Sequence, residues 1–242
     1  MVTGAQRRLG RRIALGLAEA GANLVVAHYE EHDLAASAVR EACDMGVEVI
    51  RVEINLADKD SIRNAAHEAL EHFGCIDILV NSASFYQKTP FPNVDTSNWE
   101  TSLAIILNGP FYLSNELAPK MLEKGEGVII NITDLSVWEA WPQYTGHCVA
   151  KAGLWALTRQ MALELAPHVR VNAIAPGPMI PPVDYDEAKI ARTADKTLMN
   201  RWGDPADVVR TVLYMVETDY LTGELIAVDG GQRLAHRKYE EG

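Results

Sequence analysis

The chain has few cysteines, no paired cysteine motif and no long apolar run. Its 242 residues include three cysteines, Cys43, Cys75 and Cys148, at wide and unpatterned spacing. That usage resembles neither a zinc site nor a disulfide framework, so we expect no metal and a reducing, cytoplasmic location. No apolar run approaches the roughly 20 residues of a membrane span. The N-terminus, although rich in arginine, lacks a signal-peptide core.

The chain also lacks an excess of positive charge. It carries 22 basic and 33 acidic residues, a net charge of −11. This balance argues against nucleic acid and against an anionic membrane as partners, and favours a small-molecule substrate. We find no repeat, linker or low-complexity tract, and therefore expect one domain over 1–242.

Short runs rich in Val and Ile alternate with amphipathic stretches. The predicted strands are 23–29, 47–54, 76–81, 127–133, 169–175 and 225–228. The predicted helices are 8–20, 33–45, 61–73, 99–122, 144–165 and 205–216. This alternation predicts an α/β fold with a Rossmann-type, doubly wound parallel sheet.

Two regions depart from this regularity. The proline-rich segment, Pro176 to Met199, contains Pro176, Pro178, Pro181 and Pro182, and we expect a loop and a short helix over the carboxyl edge of the sheet. The first strand has only Met1 and Val2 before Thr3 and Gly4, so it should be truncated. Either the true start lies upstream, or the strand is unusually short.

Three side chains that can handle protons share one helix face. His147 precedes Lys151 by four residues, and Tyr144 precedes His147 by three. A glycine-containing turn from Thr3 to Gly10 should lead from a strand into a helix, where backbone amides can hold a pyrophosphate.

Several further motifs follow in a fixed order: 79–86 (LVNSASFY), 172–177 (NAIAPG), 201–203 (RWG) and 228–231 (VDGG). Together they resemble the short-chain dehydrogenase/reductase family over nearly the whole chain. Arg8 in place of a middle glycine is similar to the pteridine-reductase-like branch, in which this arginine approaches cofactor phosphate and substrate.

The resemblance implies an NAD(P)-dependent oxidoreductase reducing a small carbonyl, pteridine-like or imine substrate. It implies that these residues bind the cofactor: Gly4, Gln6, Arg7, Arg8, Leu9, His28, Tyr29, Asn55, Leu56, Ser82, Ala83, Ser84, Lys151, Pro176, Gly177 and Met179. It also implies pairing of helices 99–122 and 144–165 into a homodimer or tetramer. For substrate contacts it points to Phe85, which could stack on a flat ring, and to Asp134 and Tyr144.

The expected catalytic set is changed at two positions. His147 stands where the family has its proton-donating tyrosine, and Ile106 stands where an asparagine is expected, with Asn108 two residues away. Asp134 occupies the serine position, as in pteridine reductases, and Lys151 is retained. We predict Asp134, His147 and Lys151 as catalytic residues if the carboxylate lies near the imidazole and holds its charge. The alternatives are Tyr144 as the acid, another activity on the same fold, or a catalytically impaired relative that acts as a sensor or binding partner.

The choice between NAD and NADP stays open at this point. Glu30 and Glu31 follow the predicted second strand, where a carboxylate repels a 2′-phosphate and can accept from a ribose hydroxyl. Arg7, however, lies where NADP-dependent relatives often grip that phosphate.

Overall fold

In the computed structural model, which describes residues 1–237, seven parallel strands form one sheet in the order β3-β2-β1-β4-β5-β6-β7. The strands are β1 (Val2–Thr3), β2 (Leu24–His28), β3 (Val49–Glu53), β4 (Ile78–Asn81), β5 (Gly127–Ile132), β6 (Val169–Pro176) and β7 (Leu225–Val228). The helices are α1 (Arg8–Glu19), α2 (His32–Cys43), α3 (Lys59–Phe73), α4 (Ser97–Leu103), α5 (Gly109–Lys124), α6 (Thr145–Leu165), α7 (Glu187–Asp195) and α8 (Pro205–Glu217).

The sheet is buried by helices on both faces. One hydrophobic cluster contains residues of α3, α5 and the α6 end, and a second contains residues of α1 and α8. All five residues of β2 and all six of β5 are buried, which explains why these strands read as continuous apolar runs. The predicted doubly wound α/β fold is therefore confirmed.

The strand order reverses between β1 and β4. In a doubly wound sheet, ligands bind at such a reversal, beyond the carboxyl ends of the strands. As predicted, β1 is short: it has two residues, with Val2 paired to Val26 on one side and to Val80 on the other.

The predicted continuous helix 99–122 is wrong in one respect. A π-helical turn, Ala104–Asn108, separates α4 from α5, and the Gly109 amide bonds to the Ala104 carbonyl five residues back. Pro110 explains the interruption, because it has no N–H to donate to the carbonyl of Ile106.

The proline-rich segment contains the predicted loop and short helix, α7, which Asp186 caps by accepting from the Lys189 amide. The predicted end of the preceding strand at 175 is one residue short, since Pro176 still pairs with Val228. Asp58 caps α3, which begins at Lys59, two residues before its predicted start at 61. Within residues 1–237, no helix has the length and apolar character needed to cross a bilayer.

Candidate active site

The turn between β1 and α1 is closely packed. Gly4 has a φ of 67°, and a Cβ on it would lie 3.1 Å from the Cα of Ala83. A Cβ on Gly10 would lie 2.3 Å from the carbonyl oxygen of Gly4. Arg7, the residue before α1, makes no side-chain capping bond to the helix in the described structure. The first amides of α1, including that of Leu9, therefore have no side-chain cap from Arg7, and a helix N-terminus of this kind can attract an anion.

The end of β4 is held against this turn. The Thr3 hydroxyl accepts from the amides of Ser82 at 3.0 Å and Ala83 at 3.1 Å. Ser84 follows and is exposed. This arrangement brings the 81–84 segment beside the β1–α1 turn.

Acidic and basic side chains meet beyond the end of β2. The Arg7 guanidinium lies 3.2 Å from a carboxylate oxygen of Glu31, and Gln6 donates to the other oxygen at 3.0 Å. Glu30 and Glu31 have φ values of 50° and 45°, in the left-handed region. His28 anchors this bend through Nδ1, 2.8 Å from the carbonyl oxygen of Glu30, and Tyr29 is exposed beside it.

The other predicted cofactor residues lie at the same edge of the sheet. Asn55 accepts from the Ala57 amide at 3.0 Å through its side-chain oxygen, and Leu56 packs on Gly109. Gly177 donates to the carbonyl of Val228 at 2.9 Å. A Cβ added to Gly203 would lie 2.5 Å from the sulfur of Met179, so these two residues are closely packed.

Asp134, His147 and Lys151 form one cluster. Asp134 follows β5, and its carboxylate Oδ2 lies 2.6 Å from His147 Nε2. The Lys151 ammonium, one turn along α6, donates to the carbonyl of Ile132 at 2.7 Å. Ser136 fixes the carboxylate, since its amide donates to Oδ1 at 2.9 Å and its hydroxyl at 2.5 Å.

The hydrogen-bond partners of His147 decide its charge. Nδ1 lies 3.2 Å from the Phe85 carbonyl oxygen, and Nε2 faces the Asp134 carboxylate. Both partners are acceptors, and an imidazolium, with a proton on each ring nitrogen, can donate to both. Its side chain is 3% exposed. A buried cation near a helix N-terminus needs a counter-charge, which Asp134 supplies.

The pKa values of two neighbouring groups are shifted by this environment. Burial raises the pKa of the Asp134 carboxyl, but the hydrogen bond from His147 and the charges of Lys151 and His147 outweigh burial and hold that pKa at about 2. Burial lowers the pKa of the Lys151 ammonium, and Asp134 opposes that shift. The cluster therefore places the Asp134 carboxylate against His147 and within the field of the Lys151 ammonium.

Aromatic rings that the sequence analysis missed cover His147. Trp141 is stacked on the imidazole with a centroid distance of 5.8 Å, and Tyr86 meets it edge-on at 5.0 Å. Tyr144, the residue before α6, stacks on Tyr86 at 4.4 Å. The only signal in the sequence was the concentration of aromatic residues beside Phe85 and Tyr144.

Phe85 and Ile106, the residue at the expected asparagine position, both pack against apolar side chains. The Phe85 side chain packs against the cluster of Ile106, Ala150 and Leu154, while its carbonyl contacts His147. Ile106 is 1% exposed, so an apolar side chain fills the position where an asparagine was expected. Asn108 lines a separate cavity with Leu56 and Tyr112.

Thr89 is a second residue that the sequence analysis missed. It is buried, and its hydroxyl accepts from the Gly146 amide at 2.7 Å, next to His147. Tyr144, at the usual capping position, makes no side-chain cap. Thr89 therefore caps α6 from a different part of the chain and holds the 85–89 segment against it.

No group of three or more His, Cys, Asp or Glu side chains in residues 1–237 is arranged to hold a metal ion.

The seven-stranded parallel sheet with a close glycine turn at its strand-order reversal defines the Rossmann-type class. Within that class, residues 4–233 match the family described as Enoyl-(Acyl carrier protein) reductase. The chain belongs to this family of short-chain dehydrogenases/reductases, whose members are oxidoreductases.

Individual relatives cover almost the whole chain. The 3-oxoacyl-[acyl-carrier-protein] reductase FabG of Staphylococcus epidermidis is 33% identical over 238 residues, covering 96% of this chain and 97% of that protein. The acetoin dehydrogenase YohF from Salmonella typhimurium superposes with a TM-score of 0.90 at 28% identity, covering 98% of this chain and 96% of that one. FolM Alternative dihydrofolate reductase 1 from Brucella suis, in complex with NADP, has a TM-score of 0.90 at 33% identity, covering 96% and 94%.

Proposed function

We propose that this protein is an NAD(P)H-dependent reductase of a small carbonyl, pteridine-like or imine substrate, with Asp134, His147 and Lys151 as its catalytic residues. The observation that carries the proposal is the doubly hydrogen-bonded His147, a buried proton-carrying group one turn before Lys151. Relatives named for 3-oxoacyl, acetoin and dihydrofolate compounds differ in substrate, and support the reaction class rather than one compound.

The residues around the strand-order reversal fit a dinucleotide. The uncapped N-terminus of α1 and the glycine turn would hold the pyrophosphate. The buried Gln6 Oε1, which has no hydrogen-bond partner within residues 1–237, is an acceptor and would suit a hydroxyl of the cofactor rather than its phosphates. Lys151, with one of its three N–H donors on Ile132, can hold the ribose with the others. The nicotinamide supplies the hydride to the substrate carbon when bound.

The proton comes from the His147 imidazolium. The substrate oxygen or nitrogen, made basic by reduction at the neighbouring carbon, would replace Asp134 Oδ2 as the acceptor of the Nε2 proton and then take that proton. The ring is left neutral, with its Nδ1 proton still donated to the Phe85 carbonyl. Asp134, held by two bonds from Ser136, keeps the imidazolium charged before the transfer and orients it.

We propose that Glu31 sets the preference between NAD(H) and NADP(H). Its carboxylate already pairs with Arg7, the base expected to meet a 2′-phosphate. A 2′-phosphate must therefore compete with Glu31 for that guanidinium, which favours NAD(H). The NADP in the FolM structure supports the opposite choice. The experiment below measures both cofactors.

We further propose that the proline-rich segment is the substrate loop and that the protein is a cytoplasmic homodimer or tetramer. The outer faces of α5 and α6 support the assembly, because they expose the apolar side chains of Phe111, Val149 and Leu163.

One observation favours a second function, a binding protein that has lost its chemistry. Both N–H groups of His147 are already bonded, and Trp141 and Tyr86 cover the ring. If the site is a damaged tyrosine site, His147→Tyr should raise turnover several-fold, whereas an imidazolium donor predicts that this change lowers it.

Titration calorimetry with NADH and NADPH, followed by consumption of each on a panel of ketones, 3-oxoacyl thioesters, cyclic imines and oxidised pteridines, tests the proposal. Binding with turnover supports the reductase. Binding without turnover on any compound supports the second function. Absence of binding of both NADH and NADPH at millimolar concentration overturns both.

A further inference from the structure

Arg8 lies in the phosphate-binding turn in a conformation that arginine rarely adopts. Its φ of 49° is in the left-handed region, where glycine is favoured. Strained backbone of this kind persists where surrounding contacts impose it. The surrounding contacts of Arg8 therefore indicate what the side chain is for.

The guanidinium of Arg8 bonds two successive carbonyls of the proline-rich segment. One terminal nitrogen donates to the Ile180 oxygen at 2.7 Å and the other to the Pro181 oxygen at 3.4 Å. These partners lie more than 170 positions further along the chain. The fork of the guanidinium thus joins the β1–α1 turn to the segment that follows β6.

The chemistry of the two partners is matched. Pro178, Pro181 and Pro182 have no N–H, so this part of the segment can be fastened mainly through carbonyl oxygens. Arginine offers five donors and no acceptor, which suits a row of carbonyls.

Few other bonds hold this stretch. The Pro178 carbonyl accepts from the Gly203 amide, and Tyr185 donates to the Pro182 carbonyl within the segment. Between Pro178 and Tyr185, the two bonds from Arg8 are the only hydrogen bonds to another element of residues 1–237. Val183 is fully exposed.

We propose that Arg8 is a positioning residue that fastens residues 180–181 to the phosphate-binding turn and so keeps the proline-rich segment closed over the sheet edge. The effect of this Arg8 contact on substrate entry rests on the proposed function, whereas the contact itself does not. Removing the guanidinium should release the segment without unfolding the domain.

Limited chymotrypsin digestion of the full chain tests this proposal. Arg8→Gly removes the side chain while allowing the left-handed backbone, and Arg12→Ala removes an exposed arginine from the same helix as a control. Mass spectrometry would follow cleavage after Tyr185, in the segment, relative to cleavage after the fully exposed Tyr220. The ratio normalises for protease activity and for global opening.

We expect the ratio to rise about tenfold in Arg8→Gly, as local opening becomes easier, and to stay unchanged in Arg12→Ala. We also expect a several-fold higher substrate KM with a smaller change in kcat. An unchanged ratio in Arg8→Gly, or an equal rise in Arg12→Ala, overturns the proposal. A wild type without turnover overturns the proposed function, and the digestion then decides the role of Arg8 by itself.

Discussion

The change Asp134→Asn tests whether a carboxylate keeps His147 charged. If the imidazolium donates the proton, the rate falls as the pH rises and the ring loses that proton. Asp134 stays ionised over the assay range because its pKa is held at about 2, so its own titration does not distort the profile. Its charge favours the folded state above about pH 4, and this stabilisation is lost as the pH falls towards 2.

The structure gives the size of the expected effect. Nε2 and Oδ2 are 2.6 Å apart, and the imidazole is 3% exposed. At an effective dielectric constant of about 20, unit charges about 4 Å apart attract by about 4 kcal/mol. Part of this attraction is retained in Asp134→Asn, because the asparagine amide oxygen can still accept a hydrogen bond from Nε2. An opposite charge at this range favours the charged form of its partner, so removing it should move the pH dependence of the rate to lower pH.

The assay is kcat/KM against pH from about pH 5 to 9, for the wild type and the variant, with the best substrate of the panel. The pH of half-maximal activity should move to lower values in Asp134→Asn. Ser136→Ala is the matched control: it removes one hydrogen bond to the carboxylate but keeps its charge, so it should shift the profile less. An Asp134→Asn profile that falls at the same pH as the wild type would refute the reasoning.

Two further predictions concern residues outside this pair. Thr89→Val should destabilise the fold by about 1 to 2 kcal/mol in urea unfolding, because the Gly146 amide loses its acceptor, whereas Thr89→Ser should retain most of the stability; equal losses in both variants would contradict the capping role. Glu31→Gln should raise the affinity for NADPH relative to NADH by about fivefold, the equivalent of about 1 kcal/mol of surface ion-pair energy, because Arg7 is released. Calorimetry measures this ratio, and a shift towards NADH would show that Glu31 does not oppose the 2′-phosphate.

The fold was predictable because it depends on patterns that are local in sequence. Val- and Ile-rich runs such as 127–133, separated by amphipathic helices, were sufficient to predict the sheet. The few residues before Gly4 were sufficient to predict that its first strand is short. The π-helical turn was missed although its cause, Pro110, was visible. One proline at that position is also compatible with the start of a new helix, and periodicity does not separate these cases.

The site was predictable where one element determines the geometry. The spacing of His147 and Lys151 on a helix is an example, whereas Asp134 was located through the resemblance to short-chain dehydrogenases, as the residue at their serine position. Trp141, Tyr86 and Thr89 were missed because loops bring them to His147, and a loop path has no period in the sequence. The partners of Arg8 were missed for the same reason, since they lie on a segment far along the chain.

The most direct test of the central claim is the rate of hydride transfer in His147→Ala at neutral pH, with saturating NAD(P)H and the best substrate of the panel. The account predicts a loss of about 10² to 10⁴, the usual contribution of a general acid. His168→Ala, which removes an exposed histidine after the end of α6, should be unaffected. A His147→Ala rate equal to that of the wild type would contradict the claim that this imidazolium donates the proton.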